Sequence, residues 1–239
     1  MDVVIREDIA GYMADLKKFL ADTRDESPEE MAAFFSARLD IYEEHMSAWA
    51  KGYRRLASLL PERTASILDL GCGTGLELDE IFRRFPDVEV TGIDLCADML
   101  KKLSEKHPDK NLTLLCADYL AAPFGENSFD AAVSFESLHH FFPGDKLGLY
   151  RKLSAALKET GVFILGDYIA CCDEEEELLR EAYLEKRRRF PVSGKFVHFD
   201  IPLTAEHEIS LLKDAGFAEA EIVGCENGAT LIAAKKSRV

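Results

Sequence analysis

Short apolar runs alternate with helical stretches from Ser66 onward, and this alternation limits the possible folds more than any other feature. A strand, a helix and a second strand form a βαβ unit, which joins parallel neighbours in one sheet. The sequence therefore predicts an α/β fold, with a mostly parallel sheet and helices on both faces. The predicted strands are residues 67–70, 88–93, 112–116, 131–135 and 162–165, and the predicted helices between them are residues 76–85, 97–106 and 146–158.

The two ends of the chain depart from this pattern. Residues 205–215 predict a helix capped by Gly216, and two strands at residues 218–224 and 229–234 follow with a short turn between them. Such a turn joins antiparallel strands, so the sheet is expected to end in a hairpin. At the other end, helical periodicity runs through about residues 5–60, and Ser27 followed by Pro28 is typical of a helix start.

The expected organisation is a helical N-terminal lid at residues 1–60 and a larger domain at residues 61–239. The larger domain carries an insertion at about residues 168–203, which is longer than usual connections in such folds. The insertion holds an acidic run followed by a basic run, Lys186 to Arg189, which suits the two ends of a helix better than a binding patch.

Charge and composition exclude several classes of protein. The formal net charge of −15 argues against a broad nucleic-acid-binding face, because such faces use clustered Lys and Arg. The sequence shows neither a signal peptide nor an apolar run that could span a membrane. Its six cysteines form no C-x-x-C pair, so we expect a cytoplasmic protein with reduced thiols.

The first predicted strand runs into a glycine-rich loop, SILDLGCGTG at residues 66–75. A phosphate-binding P-loop is excluded, because no Lys and Ser/Thr pair follows at the required place. A dinucleotide fingerprint is disfavoured, because it needs G-x-G-x-x-G and this loop has G-x-G-x-G. The remaining interpretation is a nucleoside-bearing ligand without phosphates that lies across the strand ends.

This loop resembles motif I of the class I S-adenosylmethionine-dependent methyltransferases, and the resemblance extends from about residue 60 to the C-terminus. Further matching segments are TGIDL at residues 91–95, CADY at 116–119, FDAAV at 129–133, SLHHF at 137–141 and LKETGVF at 157–163. The resemblance implies a Rossmann-like, seven-stranded, mostly parallel sheet and S-adenosylmethionine as the cofactor. It also implies a methyltransferase, with methyl transfer by in-line displacement from the sulfonium.

The resemblance also implies which residues bind the cofactor. The glycines let the backbone approach the methionyl part, and Asp69 faces its ammonium group. Asp94 is expected to accept hydrogen bonds from the ribose hydroxyls, and Asp118 from the adenine amino group. The full set of expected cofactor-binding residues is Asp69, Gly71, Cys72, Gly73, Gly75, Asp94, Leu95, Met99, Asp118, Tyr119, Phe135 and Tyr42.

Candidate catalytic residues follow the fourth predicted strand, where ligands of open α/β sheets bind. They are Glu136, His139 and His140, with His140 expected to face the pocket and His139 to pack structurally. Asp167 and Tyr168 follow the fifth strand as further candidates. No metal site is expected, because adjacent side chains rarely point the same way. The alternative is a metal site in which His45 or His198 adds a further ligand to His139 and His140.

Two segments have two open interpretations each. Tyr42, His45 and Trp49 lie on one helical face, which either packs against the domain or covers the cofactor, with Tyr42 near its carboxylate. Residues 194–200, GKFVHFD, either close the acceptor pocket or form a surface loop.

The function expected is methyl transfer to a small-molecule acceptor, without a nucleic-acid or membrane partner; a homodimer is left open. A non-catalytic regulatory protein that binds the cofactor is one alternative. A methyltransferase that acts on a macromolecule is a second, and use of a modified cofactor is a third.

Overall fold

The computed structural model describes residues 5–191 and 196–236, and these residues form a sheet of seven strands in the order β3-β2-β1-β4-β5-β7-β6. Strands β1 to β5 pair in parallel, and β7 is antiparallel to both β5 and β6. The parallel sheet and its terminal antiparallel hairpin are therefore confirmed. The strands are β1 Ser66–Leu70, β2 Glu89–Asp94, β3 Leu112–Cys116, β4 Phe129–Phe135, β5 Leu157–Tyr168, β6 Phe217–Glu226 and β7 Ala229–Lys236.

Helices cover both faces of this sheet, because alternate residues of the central strands point to opposite sides. Ile67 of β1 packs into a core layer with Leu56 and Leu78, whereas Leu68 packs with Leu149 on the other face. The helices are α1 Ile9–Asp22, α2 Met31–Ala37, α3 Leu39–Met46, α4 Ala50–Leu59, α5 Leu76–Arg84, α6 Ala97–Lys106, α7 Pro143–Ala156, α8 Asp173–Arg189 and α9 Ala205–Asp214. No helix in the described part of the chain is both long and apolar enough to cross a membrane.

The order of the strands fixes where a ligand can bind. β1 lies between β2 and β4, so the chain leaves β1 toward one half of the sheet and later returns to fill the other. The loops after β1 and β4 therefore diverge, which opens a crevice at the carboxyl ends of these strands.

Two boundaries differ from the sequence prediction. The predicted helix start at Ser27 and Pro28 is wrong, because α2 begins at Met31 with the Glu30 side chain as its N-cap. The backbone just before α2 pairs with a distant segment instead, because Glu30 forms an antiparallel bridge with Val197. The predicted helix at residues 146–158 also ends early, because Leu157 already pairs with β4.

This bridge ties the N-terminal helices to the segment after α8. The His198 N–H donates to the Glu29 carbonyl at 2.9 Å, and the His198 ring stacks on Phe34 with centroids 3.6 Å apart. Lys186, in the basic run that was predicted to end a helix, lies in the last turn of α8. Its ammonium group donates a hydrogen bond to the Glu26 carbonyl at 3.0 Å. Of the predicted pocket-closing residues, Gly194 and Lys195 lie outside the described residues.

Candidate active site

The glycine loop after β1 turns sharply beneath the crevice. Gly71, Gly73 and Gly75 have φ angles of 75°, 48° and 75°, a region in which side chains cause strain. A Cβ on Gly71 would lie 2.0 Å from the Ser137 Oγ atom. A side chain at this position would therefore collide with Ser137.

Asp94 at the end of β2 stabilises this loop through hydrogen bonds to the backbone. Its Oδ2 accepts from the Gly73 N–H at 2.9 Å, and its Oδ1 accepts from the Cys96 N–H at 2.8 Å. Burial raises the pKa of Asp94 above its ordinary value, and these backbone hydrogen bonds offset only part of that rise. Each carboxylate oxygen keeps one lone pair for a ligand donor such as a hydroxyl.

A first cavity, which we call the cofactor cavity, lies above the loop. It brings together eight of the residues expected to bind the cofactor: Tyr42, Gly71, Gly73, Asp94, Leu95, Met99, Tyr119 and Phe135. Its other lining residues are Met31, Ala32, Phe35, Cys96, Glu136, Ser137, His140 and Phe141. Met31 and Ala32 of α2 were missed by sequence reasoning, because nothing in an isolated helix shows which surface it will cover.

A second cavity of about 430 Å³, the acceptor cavity, adjoins the first. Its lining residues are Phe34, Phe35, Arg38, Ile41, Tyr42, His45, Met46, Trp49, Glu136, His139, His140, His198 and Asp200. Phe35, Tyr42, Glu136 and His140 line both cavities. These four residues form the junction between the two cavities.

Glu136 holds an unusual backbone conformation at this junction. Its φ angle of 50° is uncommon outside glycine, and such strain tends to occur at functional sites. The Glu136 N–H donates to the Gly166 carbonyl at 2.8 Å, which holds the residue against β5. Burial raises the pKa of the Glu136 carboxyl to about 8.

His139 and His140 follow in a short 3-10 turn, with ring centroids 4.0 Å apart. The His139 Nδ1 lies 2.6 Å from the fully buried Asp167 carboxylate. Burial works to lower the pKa of His139, but the carboxylates of Asp167 and Asp200 outweigh it and raise that pKa. Burial and the charge of His139 lower the pKa of His140 to about 3. His140 faces both cavities as predicted, whereas His139 lines the acceptor cavity as well as packing on Asp167.

Comparison with known proteins identifies the family. A model of the methyltransferase domain matches residues 67–161. A carboxy-S-adenosyl-L-methionine synthase of Helicobacter pylori (strain G27) is 31% identical over 186 residues, which cover 72% of this chain and 75% of the relative. An S-adenosylmethionine-dependent methyltransferase from Mesorhizobium loti superimposes with a TM-score of 0.57 at 22% identity, over 79% of this chain and 98% of that one. PigF with SAH gives a TM-score of 0.62 at 19% identity, over 82% and 56%.

The chain belongs to the class I S-adenosylmethionine-dependent methyltransferases. The fold, the enzyme class and the cofactor expected from the sequence are confirmed.

Four residues expected to bind the cofactor of this methyltransferase are not among those that line the cofactor cavity. Cys72 packs against Gly92 of β2, and Gly75 lies against Leu103. The Asp118 Oδ1 accepts from the Leu120 N–H at 2.8 Å, which closes a local turn. The fourth, Asp69, is fully buried in β1 beneath the loop.

Asp69 shares its surroundings with a second acid that sequence reasoning missed. Glu77 lies in the first turn of α5 and is almost fully buried. Burial and the charge of Glu77 raise the pKa of Asp69 well above its usual range, and burial raises the pKa of Glu77 to about 7. Within residues 5–191 and 196–236, neither Asp69 oxygen has a hydrogen-bond partner. The two carboxyls therefore form a buried acidic pair in which burial favours the neutral forms.

Proposed function

We propose that this methyltransferase moves a methyl group to a small molecule held in the acceptor cavity. The observation that carries the proposal is the shared wall of the two cavities, formed by Phe35, Tyr42, Glu136 and His140. A volume of about 430 Å³ falls within the range of small-molecule sites, whereas a macromolecular acceptor needs an open groove.

The residues of the cofactor cavity fit S-adenosylmethionine. Bare backbone at Gly71 and Gly73 admits a close ligand, and the Asp94 carboxylate offers acceptors for two hydroxyls. An ammonium group nearby would counter the burial that raises the pKa of Asp69 and would favour its ionised form. When bound, the cofactor supplies an electrophilic methyl group on a sulfonium.

The chain's own task is to align the acceptor and to exclude water. Phe34, Phe35 and Trp49 form an apolar wall for the body of the acceptor. The Trp49 Nε1 donor has no hydrogen-bond partner among the described residues, so it can orient an acceptor oxygen. An oxygen or nitrogen nucleophile must also lose a proton, and the position of Glu136 in both cavity walls supports it as the base that takes this proton.

The N-terminal helices would act as a lid in this scheme. The cofactor cavity has a volume of only about 50 Å³, and Met31, Ala32 and Phe35 of α2 close one side of it. A ligand of nucleoside size needs several hundred Å³. We therefore infer that α2 and α3, within the predicted lid, swing away to admit the cofactor and close again over it, whereas α4 stays packed in the core through Leu56.

Three matched variants test the proposal. Asp94→Asn should weaken S-adenosylhomocysteine binding in calorimetry. Trp49→Ala should leave that binding intact but raise KM in a screen of small acceptors that detects S-adenosylhomocysteine release. Glu136→Gln should keep both binding steps and lower kcat by about 10²-fold. The proposal fails if the wild type binds the cofactor but methylates no small acceptor, whereas protein or RNA extracts are methylated.

A second candidate function comes from the relatives named carboxy-S-adenosyl-L-methionine synthase. The same reactions, supplemented with small carboxylic acids as carboxyl donors and read by mass spectrometry of the cofactor, separate the two. S-adenosylhomocysteine indicates methyl transfer, and a cofactor heavier by a carboxyl group indicates the alternative. Cofactor binding without turnover of either kind would favour a regulatory protein. The homodimer stays a prediction, which light scattering of the purified protein would test.

A further inference from the structure

The polar end of the acceptor cavity brings two imidazoles and a carboxylate onto a common point. Ligand-type atoms of His139, His140 and Asp200 all lie within 4.8 Å of one another. The Asp200 Oδ1 is 3.5 Å from the His139 Nε2 and 3.3 Å from the His140 Nδ1. Both distances exceed those of good N–H···O hydrogen bonds. In the described part of the chain this buried Oδ1 has no hydrogen-bond partner.

These separations match those around a small divalent metal ion. Zinc–nitrogen and zinc–oxygen bonds of about 2.1 Å place neighbouring ligands of a tetrahedron about 3.4 Å apart. Two histidines and one carboxylate also form a known ligand set of catalytic zinc, with the fourth position open. We propose that His139, His140 and Asp200 bind one divalent transition-metal ion, with Zn²⁺ as the best fit.

Asp167 supports this site from behind. Its Oδ1 lies 2.6 Å from the His139 Nδ1, on the far side of the ring from Asp200. A carboxylate that accepts from one imidazole nitrogen fixes the tautomer and turns the other nitrogen toward the metal. Histidines that bind metals almost always have such a partner. Asp167 is therefore the positioning residue of the site.

His140 has a partner that the ion would replace. Without the ion, its Nδ1–H donates to the Phe199 carbonyl at 3.0 Å. With the ion bound, the Nδ1 lone pair coordinates the metal and the proton resides on Nε2. The expectation from sequence that adjacent histidines diverge does not hold for these two nitrogens, because both approach the Asp200 Oδ1.

The ligand chemistry decides between metal ions. Imidazole nitrogens suit Zn²⁺, Co²⁺, Ni²⁺ and Cu²⁺, whereas Mg²⁺ and Ca²⁺ prefer oxygen ligands. The carboxylates of Asp200 and Asp167 balance the double positive charge. The open position faces the acceptor cavity, so an acceptor oxygen or nitrogen could bind there. That use of the ion rests on the proposed function, but binding of the ion itself does not.

Metal titration of the purified protein tests the site without cofactor or acceptor. The affinity tag is removed, the protein is stripped with a chelator, and Co²⁺ is added while the visible absorption is recorded. Calorimetry with Zn²⁺ gives the affinity. We expect one ion per chain and the intense bands of a tetrahedral Co²⁺ site.

Substitutions locate the ion. Asp200→Asn and His140→Gln should each weaken Zn²⁺ binding at least about tenfold, and Asp167→Asn should weaken it about 10- to 100-fold. His107→Gln is the matched control, because His107 also contacts a carboxylate, Asp79 at 2.7 Å, outside the cavity. Its affinity for Zn²⁺ should equal that of the wild type.

Two results would overturn the site. The first is a wild type that takes up no stoichiometric ion. The second is an Asp200→Asn variant that binds Zn²⁺ as tightly as the wild type. Asp200 is partly exposed, so this variant should fold, and circular dichroism checks that it does. Neither result bears on the methylation screen, so the failure of the metal site and of the proposed function can be told apart.

Discussion

Replacing Glu77 with glutamine should make the protein more stable at high pH but not at low pH. Glu77 is buried beside Asp69, and burial raises its pKa from an ordinary value of 4.5 to about 7. A carboxyl whose pKa is raised by folding contributes stability that is fully present below the unfolded pKa. That stability is lost as the pH rises through the folded pKa, here between about pH 4.5 and 7.

The size of the effect follows from the shift. A rise from 4.5 to about 7, at about 1.4 kcal/mol per pKa unit, gives an upper value of about 3 kcal/mol, most of which develops between pH 5 and pH 8. Glutamine has a similar shape but no charge to bury. The free energy of unfolding of Glu77→Gln, relative to that of the wild type, should therefore increase by about 2 to 3 kcal/mol from pH 5 to pH 8.

Urea unfolding at pH 5 and pH 8 measures this difference. With an m-value of about 2.5 kcal/mol/M, the variant should gain roughly 1 M in its midpoint relative to the wild type at pH 8. Glu80→Gln is the control, because Glu80 lies on the same helix but contacts Arg83 at the surface. If Glu77→Gln and the wild type differ by the same amount at both pH values, Glu77 carries no buried charge and the argument is refuted.

Three further outcomes are expected. Gly71→Ala should abolish S-adenosylhomocysteine binding in calorimetry, because its Cβ would lie 2.0 Å from Ser137, whereas Gly148→Ala, with no atom within 4 Å of its Cβ, should bind normally. Glu208→Ala should lower the free energy of unfolding by about 3–5 kcal/mol in urea, because it leaves the fully buried Lys146 ammonium without the carboxylate now 2.6 Å away; a loss below 1 kcal/mol would contradict this. S-adenosylhomocysteine should slow hydrogen exchange in α2 and α3, and unchanged exchange there would argue against a lid.

Much of the fold could be predicted from the sequence, because local patterns determine it. The continuous apolar run of β1, which is buried on both faces of the sheet, and the glycine positions after it follow from parallel-sheet burial and from φ angles. The order of elements along the chain then leaves few sheet topologies. The helix start at Ser27 failed for the opposite reason: its local signal is sound, but the bridge from Glu30 to Val197 uses that backbone for a contact 167 residues away in sequence.

The residues of the site also divide into those that could be predicted from the sequence and those that could not. Asp94 and the loop glycines could be identified because their roles depend on a short continuous segment. Glu77 and Asp200 could not be assigned roles, because each acquires its partner through packing between distant elements. The signal for Glu77 in the sequence was an acidic residue within the apolar stripe of a predicted helix.

The bridge between Glu30 and Val197 has a consequence for the order of events in a turnover. It joins α2 to the segment that carries His198 and Asp200, so a wall of each cavity belongs to one connected cover. A cover that opens as one body exposes both cavities together and closes over both together. We expect the cofactor, which lies deeper against the sheet, to enter first and its demethylated product to leave last, as a compulsory-order pattern in product-inhibition kinetics would show.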